Sequence, residues 1–381
     1  MFEASSLLFI YVETPLHAGS GRGLGAIDLP VQRERVTGYP MVQGSGIKGK
    51  LRAEAYGKKD FRDLVERKRQ QLVASGKPDD AETNRIAIRQ AAQEMGHEAT
   101  FGPPTEAAHE HAGALTVGDA RLLLFPVRSL AGVFAWTTSH DALSRFARDA
   151  AAVGAELILK ENAQEVDVSL PAAPAAGMAL VPDNDSVTAG GKVVLEEFAY
   201  TPTAEAAVKS QITQLAKWLA ENALPMGGEF DPWRDKLKAN LVILPDDAFR
   251  DFTQLATEVV TRVKLKDDGS KTVQSGALWT EEALPVDTLL YAPLYATRPR
   301  GGGTHRLLNG GDVINHASAS LSNKRIQLGG SETVGRGLVS LCFRPVHETT
   351  VAVQPGTAPT SKATDDDEPA AQGESEGEND G

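Results

Sequence analysis

Short apolar runs scattered from one end of the chain to the other limit the fold more than any other feature. They are LLFIYV at residues 7–12, LLLFPV at 122–127, LVIL at 241–244, LLYAPLY at 289–295 and LVSLCF at 338–343. Each falls well short of the ~18 apolar residues that a membrane helix needs. Each is bounded by turn residues and reads as a buried strand. Helical patterns lie between them, at 60–75, 81–96, 140–154, 203–223 and 246–256. The alternation is irregular and does not repeat a parallel crossover. The pattern therefore predicts an α+β fold: a sheet with helices on one face and several insertions.

The same pattern sets the organisation. Residues 1–356 read as a single elaborated domain. Residues 58–112 are highly charged, with two helical stretches broken at Gly76-Lys77-Pro78, and read as a helical insertion. Residues 257–280 read as two strands around the turn DDGS. Residues 160–190 read as loop, and KVVLEEFAY at 192–200 as one strand. The opening MFEASSLLFIYVETP has no basic leader and reads as a strand, not a signal peptide. Cys342 is the sole cysteine, which excludes an internal disulfide and a four-cysteine zinc site. A cytoplasmic location without membrane contact is the simplest expectation.

A net charge of −12 looks hostile to nucleic acid until its distribution is read. Residues 357–381 hold eight acids and one base, and so carry −7 of that total, leaving −5 on residues 1–356. This tail has no aromatic residue and is expected to be disordered. Over the rest of the chain, local patches matter more than the sum.

Three glycine-rich basic stretches stand out. GSGIKGKL at 44–51 nearly matches a phosphate-binding P-loop, but Leu51 stands where a magnesium-ligating hydroxyl is required. Its glycines can instead open a helix whose first amides face an anion. Lys48, Lys50 and Arg52 then read either as contacts to a nucleic-acid backbone or as a solvated helix start. LGGSETVGRGLVSL at 328–341 places Arg336 between Gly335 and Gly337. It reads either as a phosphate-binding loop or as a tight turn against the sheet. TRPRGGGTHRLLNGG carries Arg298, Arg300, His305 and Arg306. Arg262, Lys264 and Lys266 punctuate the first strand of the 257–280 hairpin. Several separate basic loops fit a groove tracking a backbone better than one small phosphate pocket. The histidines of HEATF, at 97, and of HEH, at 109 and 111, lack metal-ligand spacing and read as solvated surface.

GSGRGLGAIDLPVQRE at 19–34 is different. It sets one carboxylate, Asp28, inside a glycine loop. An acid there repels a phosphate, so it is either a turn residue or a group that handles a cation or a proton.

Five segments together resemble a known family: PLHAGSG, GAIDLPVQRE, TGYPMVQGSGIKGKLR, GALWTEEALP and GGSETVGRG. They resemble the Cmr-type proteins of the RAMP superfamily, and within them the repeated backbone subunit of type III-B CRISPR RNA-guided antiviral complexes. The match spans residues 5–345 in blocks. The resemblance implies a modified RNA-recognition-motif or ferredoxin-like palm with a helical insertion and a protruding β-hairpin thumb. It implies copies stacked as a filament along a CRISPR RNA, beside other Cmr-type RAMP subunits. Each thumb would displace a nucleotide at six-nucleotide intervals. Single-stranded target RNA would be cut opposite each thumb, with a divalent metal ion, magnesium or manganese. The principal cleavage residue and metal ligand implied is Asp28. His17 and Lys48 match active-site or RNA-binding positions, and Glu281 and Glu282 match the acids of the TEE segment, so His17, Glu281 and Glu282 join Asp28 as implied catalytic residues. Members commonly carry a tyrosine next, where this chain has Ala283. A purely architectural RNA-binding subunit is the alternative.

Overall fold

The computed structural model describes residues 2–348, apart from Leu24, residues 162–163, 267–271 and 302–304, and Ser320. The acidic tail at 357–381 and the DDGS turn at 267–270 lie outside the described residues.

The first apolar run forms the strand Ala4–Val12, and all nine of its residues are buried. It pairs antiparallel with Leu289–Ala296 on one side and Leu338–Phe343 on the other. Beyond Leu289–Ala296 come Ala120–Arg128, Phe134–Ser139 and Leu241–Leu244; beyond Leu338–Phe343 comes Lys324–Gln327. Met41–Val42, Leu115–Val117 and His347–Glu348 add short strands to this sheet. The chain thus brings its first and last long runs together as neighbours, and Leu241–Leu244 pairs parallel with Phe134–Ser139.

Nine helices are described: α1 (Gly44–Tyr56), α2 (Lys59–Ala74), α3 (Ala81–Glu94), α4 (His97–Phe101), α5 (His140–Ala152), α6 (Ala206–Asn222), α7 (Asp231–Asn240), α8 (Asp246–Leu255) and α9 (Gly310–Ser318). They cover both faces of the sheet, not one. Leu8, Ile10 and Val12 share a core with Ile47 and Leu51 of α1, Phe249 of α8 and Ile314 of α9. The alternate residues Leu7, Phe9 and Tyr11 join Phe146 of α5 and Trp218 of α6 in a second core. Successive strand residues point to opposite faces, so a run without polar alternation has no face left for water. Local chemistry starts several helices. Asp80 accepts the Thr83 amide, Ser139 accepts the Ala142 amide, and Asn309 with Asp312 forms a reciprocal cap. Helices α2 and α3 pack through a small core of their own around Phe61, Leu64, Ala91 and Ala92.

Two local expectations change. The segment 192–200 is two strands, Lys192–Leu195 and Phe198–Pro202, folded back at Glu196, whose φ of 50° makes the turn. Residues 160–190 are not all loop: Ile158–Glu161 pairs with Gln164–Asp167.

Candidate functional site

The strands Glu258–Leu265 and Val273–Ala283 pair antiparallel as a ribbon separate from the main sheet. The glycine loop that begins at Gly19 docks on the ribbon's base. It closes on itself where Gly19 bridges Val31 and where the Ser20 amide donates to the Pro30 carbonyl. Its outgoing end then adds to the second strand of the ribbon. The Leu29 amide donates to Thr280, and the Glu282 amide donates back to Leu29.

Asp28 sits at that junction, exposed to solvent. The Thr280 amide donates to Asp28 Oδ2 at 2.7 Å, and the Thr280 hydroxyl donates to the same oxygen at 2.9 Å. The Asp28 amide in turn donates to Thr280 Oγ1 at 2.9 Å. These bonds favour the ionised form and hold the Asp28 carboxyl below the usual carboxylate range, with Arg22 a smaller influence. Both accepted bonds fall on Oδ2, which leaves Oδ1 available. Among the described residues Asp28 has no ion pair.

The neighbouring acids are placed quite differently. Glu282 is 2% exposed; it accepts the Val31 amide at 2.9 Å and the Thr257 hydroxyl at 2.8 Å, and pairs with Arg33. Glu281 points to the other face of the ribbon and is 5% exposed. It lies between Arg262, at 3.3 Å, and Arg336, at 3.7 Å, and accepts the Ser331 hydroxyl. Arg262 Nε and Arg336 Nη1 are buried without a hydrogen-bond partner among the described residues. Glu258, at the start of the ribbon, has its carboxyl raised by burial, with Arg336 acting in the opposite sense. Ala283 is fully buried opposite Glu258.

His17 is stitched to the same strand. Its Nδ1 lies 2.6 Å from the Glu282 carbonyl, so this nitrogen carries the proton and donates. The His17 carbonyl accepts the Gly330 amide. Gly329, at a φ of 75°, passes so close to that carbonyl that a Cβ would collide with it. Gly337, at a φ of 73°, is equally pressed against the Leu328 carbonyl. These two glycines of the closing motif are therefore demanded by the turn itself.

His17 and Gly329 border an open groove of about 620 Å³ whose other wall is α1. On that wall Gly46 and Gly49 face empty space, since a Cβ on either would meet nothing within 4 Å. Lys50 lines the groove and pairs with Glu54 at 3.1 Å. Lys48 turns away, and its Nζ donates to the Leu115 carbonyl at 2.7 Å. Burial, with Arg52 adding to it, lowers the Lys48 pKa. Arg52 reaches the Pro103 carbonyl and lies over the Tyr56 ring. Lys264 is exposed on the ribbon. The structure thus brings Asp28, His17, Glu281, Glu282, Arg262 and Arg336 to one ribbon base, Lys50 to the adjoining groove, and Lys48 and Arg52 into contacts behind it.

Thr280 and Arg33 are the site residues that the sequence reading passed over. Thr280 was in view as the first residue of TEE, and its hydroxyl was the signal. The histidine reading also changes. His97 and Glu98 are buried, not solvated. His97 Nδ1 meets His316 Nε2 at 2.9 Å, and burial pushes both imidazoles down to about 4. Among the described residues no three His, Cys, Asp or Glu side chains are grouped to hold a metal ion, and no helix is long and apolar enough to cross a membrane.

Known proteins resemble this chain in sequence and fold. The family model described as the RAMP superfamily matches residues 9–340. The CRISPR system Cmr endoribonuclease Cmr4 of Pyrococcus furiosus is 35% identical over 340 residues, covering 89% of this chain and 96% of that protein. The CRISPR system CMR subunit Cmr4 of Saccharolobus solfataricus is 24% identical over 337 residues, covering 87% and 94%. Among solved structures, oligomeric Cmr4 from Pyrococcus furiosus superposes with a TM-score of 0.58 at 29% identity, over 91% of this chain and 99% of that one. A chain of the type III-B Cmr-beta complex bound to cognate target RNA gives 0.56 at 20% identity, over 90% and 98%, a likeness of fold.

Proposed function

Because this chain belongs to the RAMP superfamily and, within it, to the Cmr4 family, we propose that it is the repeated RNA-binding subunit of a type III-B Cmr effector complex and the subunit that cuts target RNA. In this reading the main sheet and its helices are the palm and the 258–283 ribbon is the thumb. Copies of the chain stack along a CRISPR RNA beside other Cmr subunits, and each thumb displaces a nucleotide at six-nucleotide intervals. The observation that carries the cleavage reading is Asp28: an exposed, ionised carboxylate with a free oxygen, fastened to the thumb's base.

The groove between α1 and the 328–330 turn suits the guide backbone. Its glycine wall admits a close approach, and Lys50 supplies charge. Arg262 and Arg336 sit against Glu281 and Glu258, and their positive charge lies at the ribbon base beside the path proposed for RNA. Glu281 and Glu282 act here by holding arginines, not by reacting.

A depressed pKa makes Asp28 a poor proton acceptor near neutral pH but a good cation ligand. The described residues form no closed metal cage, which fits a cation that keeps its waters and takes one carboxylate plus substrate phosphates. Asp28 would hold magnesium or manganese, which supplies charge neutralisation at the phosphate and acidifies the attacking group. His17, fixed by the Glu282 carbonyl, packs its Nε2 against Gly19 and so orients the loop.

The test is Asp28→Ala in complex reconstituted with guide, labelled complementary RNA and magnesium or manganese. Wild type gives products at fixed spacing; the variant binds target and gives none. Full cutting by the variant removes Asp28 from the chemistry. A wild-type complex that binds target but never cuts it leaves the architectural reading.

A further inference from the structure

The glycine loop does little to hold its own acid. Gly21 and Gly25 stand in open space, and among the described residues of the loop only the Gly23 amide reaches Asp28 by a hydrogen bond, at its carbonyl. The bonds from Leu29 to Thr280 and from Glu282 to Leu29 are backbone bonds, which any residue at 280 would make. The type-specific contact is the Thr280 hydroxyl. It accepts from the Asp28 amide, so its own proton is free to go to Asp28 Oδ2, and both functions of one oxygen are committed to one residue.

Thr280 also occupies a telling place on the ribbon. It pairs with Thr261, and one pleat further out Leu278 pairs with Val263. Residues two apart share a face, so the Asp28 anchor and this apolar pair lie on the same side. Leu278 is 64% exposed and Val263 is 48% exposed. The strand rise separates the two pairs by about 7 Å.

We propose that Thr280 is a positioning residue for cleavage: its hydroxyl locks the Asp28 loop to the thumb and so registers the reacting carboxylate against the nucleotide that the thumb displaces. This rests on the reading of Asp28 given above. Loss of the hydroxyl leaves the backbone anchors and the RNA contacts intact. The carboxylate then keeps the Thr280 amide as its one anchor on the ribbon and can turn about that single bond.

The experiment compares Thr280→Val, which keeps the shape, with Thr280→Ser, which keeps the hydroxyl, in reconstituted complex under single turnover at saturating target. Misplacement of a reacting group by about 1 Å costs on the order of 100-fold, so Thr280→Val should lower the maximal rate by about 10–100-fold. Target affinity should stay at the wild-type value. Thr280→Ser should cut at close to the wild-type rate. Amide hydrogen exchange on the isolated chain gives a second readout: the Asp28 amide should exchange faster in Thr280→Val and normally in Thr280→Ser. Wild-type cutting by Thr280→Val beside an inactive Asp28→Ala overturns the positioning role alone, as does a serine variant as slow as the valine. An active Asp28→Ala overturns the underlying reading and this inference with it.

Discussion

Glu282→Ala separates a carboxylate that holds structure from the one proposed to react, Asp28. The side chain has three protein partners: the Val31 amide, the Thr257 hydroxyl and the Arg33 guanidinium. Removing one member of a buried ion pair costs about 3–5 kcal/mol. Arg33 is 23% exposed and keeps the Gly38 and Thr253 carbonyls at 2.9 and 3.0 Å, which trims the loss. The Val31 amide loses its acceptor in a buried position, worth about 1–3 kcal/mol. The two effects overlap, and the variant should lose about 2–4 kcal/mol, or roughly 3–5 °C in Tm. Thermal unfolding of the isolated chain at neutral pH measures this, with Asp28→Ala as the control. Asp28 is exposed, so its removal should leave Tm close to wild type. A Glu282→Ala protein that melts with wild type yet fails to cut target would refute the structural assignment.

Other outcomes follow from the same contacts. Gly49→Ala should raise Tm slightly, by about 1 kcal/mol of helix propensity, while weakening guide binding, because the new methyl stands in the groove. Gly337→Ala should destabilise the chain by more than about 1–2 kcal/mol, since φ is 73° and the Cβ meets the Leu328 carbonyl. Lys50→Ala should lower the salt slope of guide binding by about one, equally for unrelated guide sequences. Stability should fall between pH 6.5 and about 4, because His97 and His316 are buried neutral with pKa values near 4, whereas unfolded histidines take up protons near 6.5. Melting temperature against pH should show that loss, and His97→Phe should flatten it.

Much of the fold was legible because its signals are local. The strand runs and the α6 pattern are each read within one segment. Burial on both faces was also written in LLFIYV, a run with no polar alternation, although helices were expected on one side only. In sequence Lys48 reads as an RNA contact or a solvated residue; the structure puts it on the face of Gly44 and Leu51, one turn away on either side, both of them buried. What sequence could not display are pairings across the chain. Asp28 meets Thr280 across 252 positions, Glu282 meets Arg33 across 249, and His97 meets His316 across 219. A histidine amid charged neighbours reads as surface until α9 is packed against it.

The three residues Thr280, Glu281 and Glu282 show why a two-stranded ribbon here needs polar neighbours. A lone hairpin is marginal in water, so its base must be held from outside. Alternation sends Thr280 and Glu282 to one face and Glu281 to the other. The first pair grips the 28–33 segment through Asp28, Val31 and Arg33; Glu281 grips Ser331 and Arg336 of the closing glycine turn. Apolar packing could have clamped the ribbon as well, but it would have left no charged group at the junction. A clamp built from hydrogen bonds and ion pairs fixes the ribbon and, with the same residues, sets an ionised Asp28 at its edge. The tripeptide thus both anchors the ribbon and positions the carboxylate proposed for cleavage, and substitutions there should be read by measuring melting and cleavage separately.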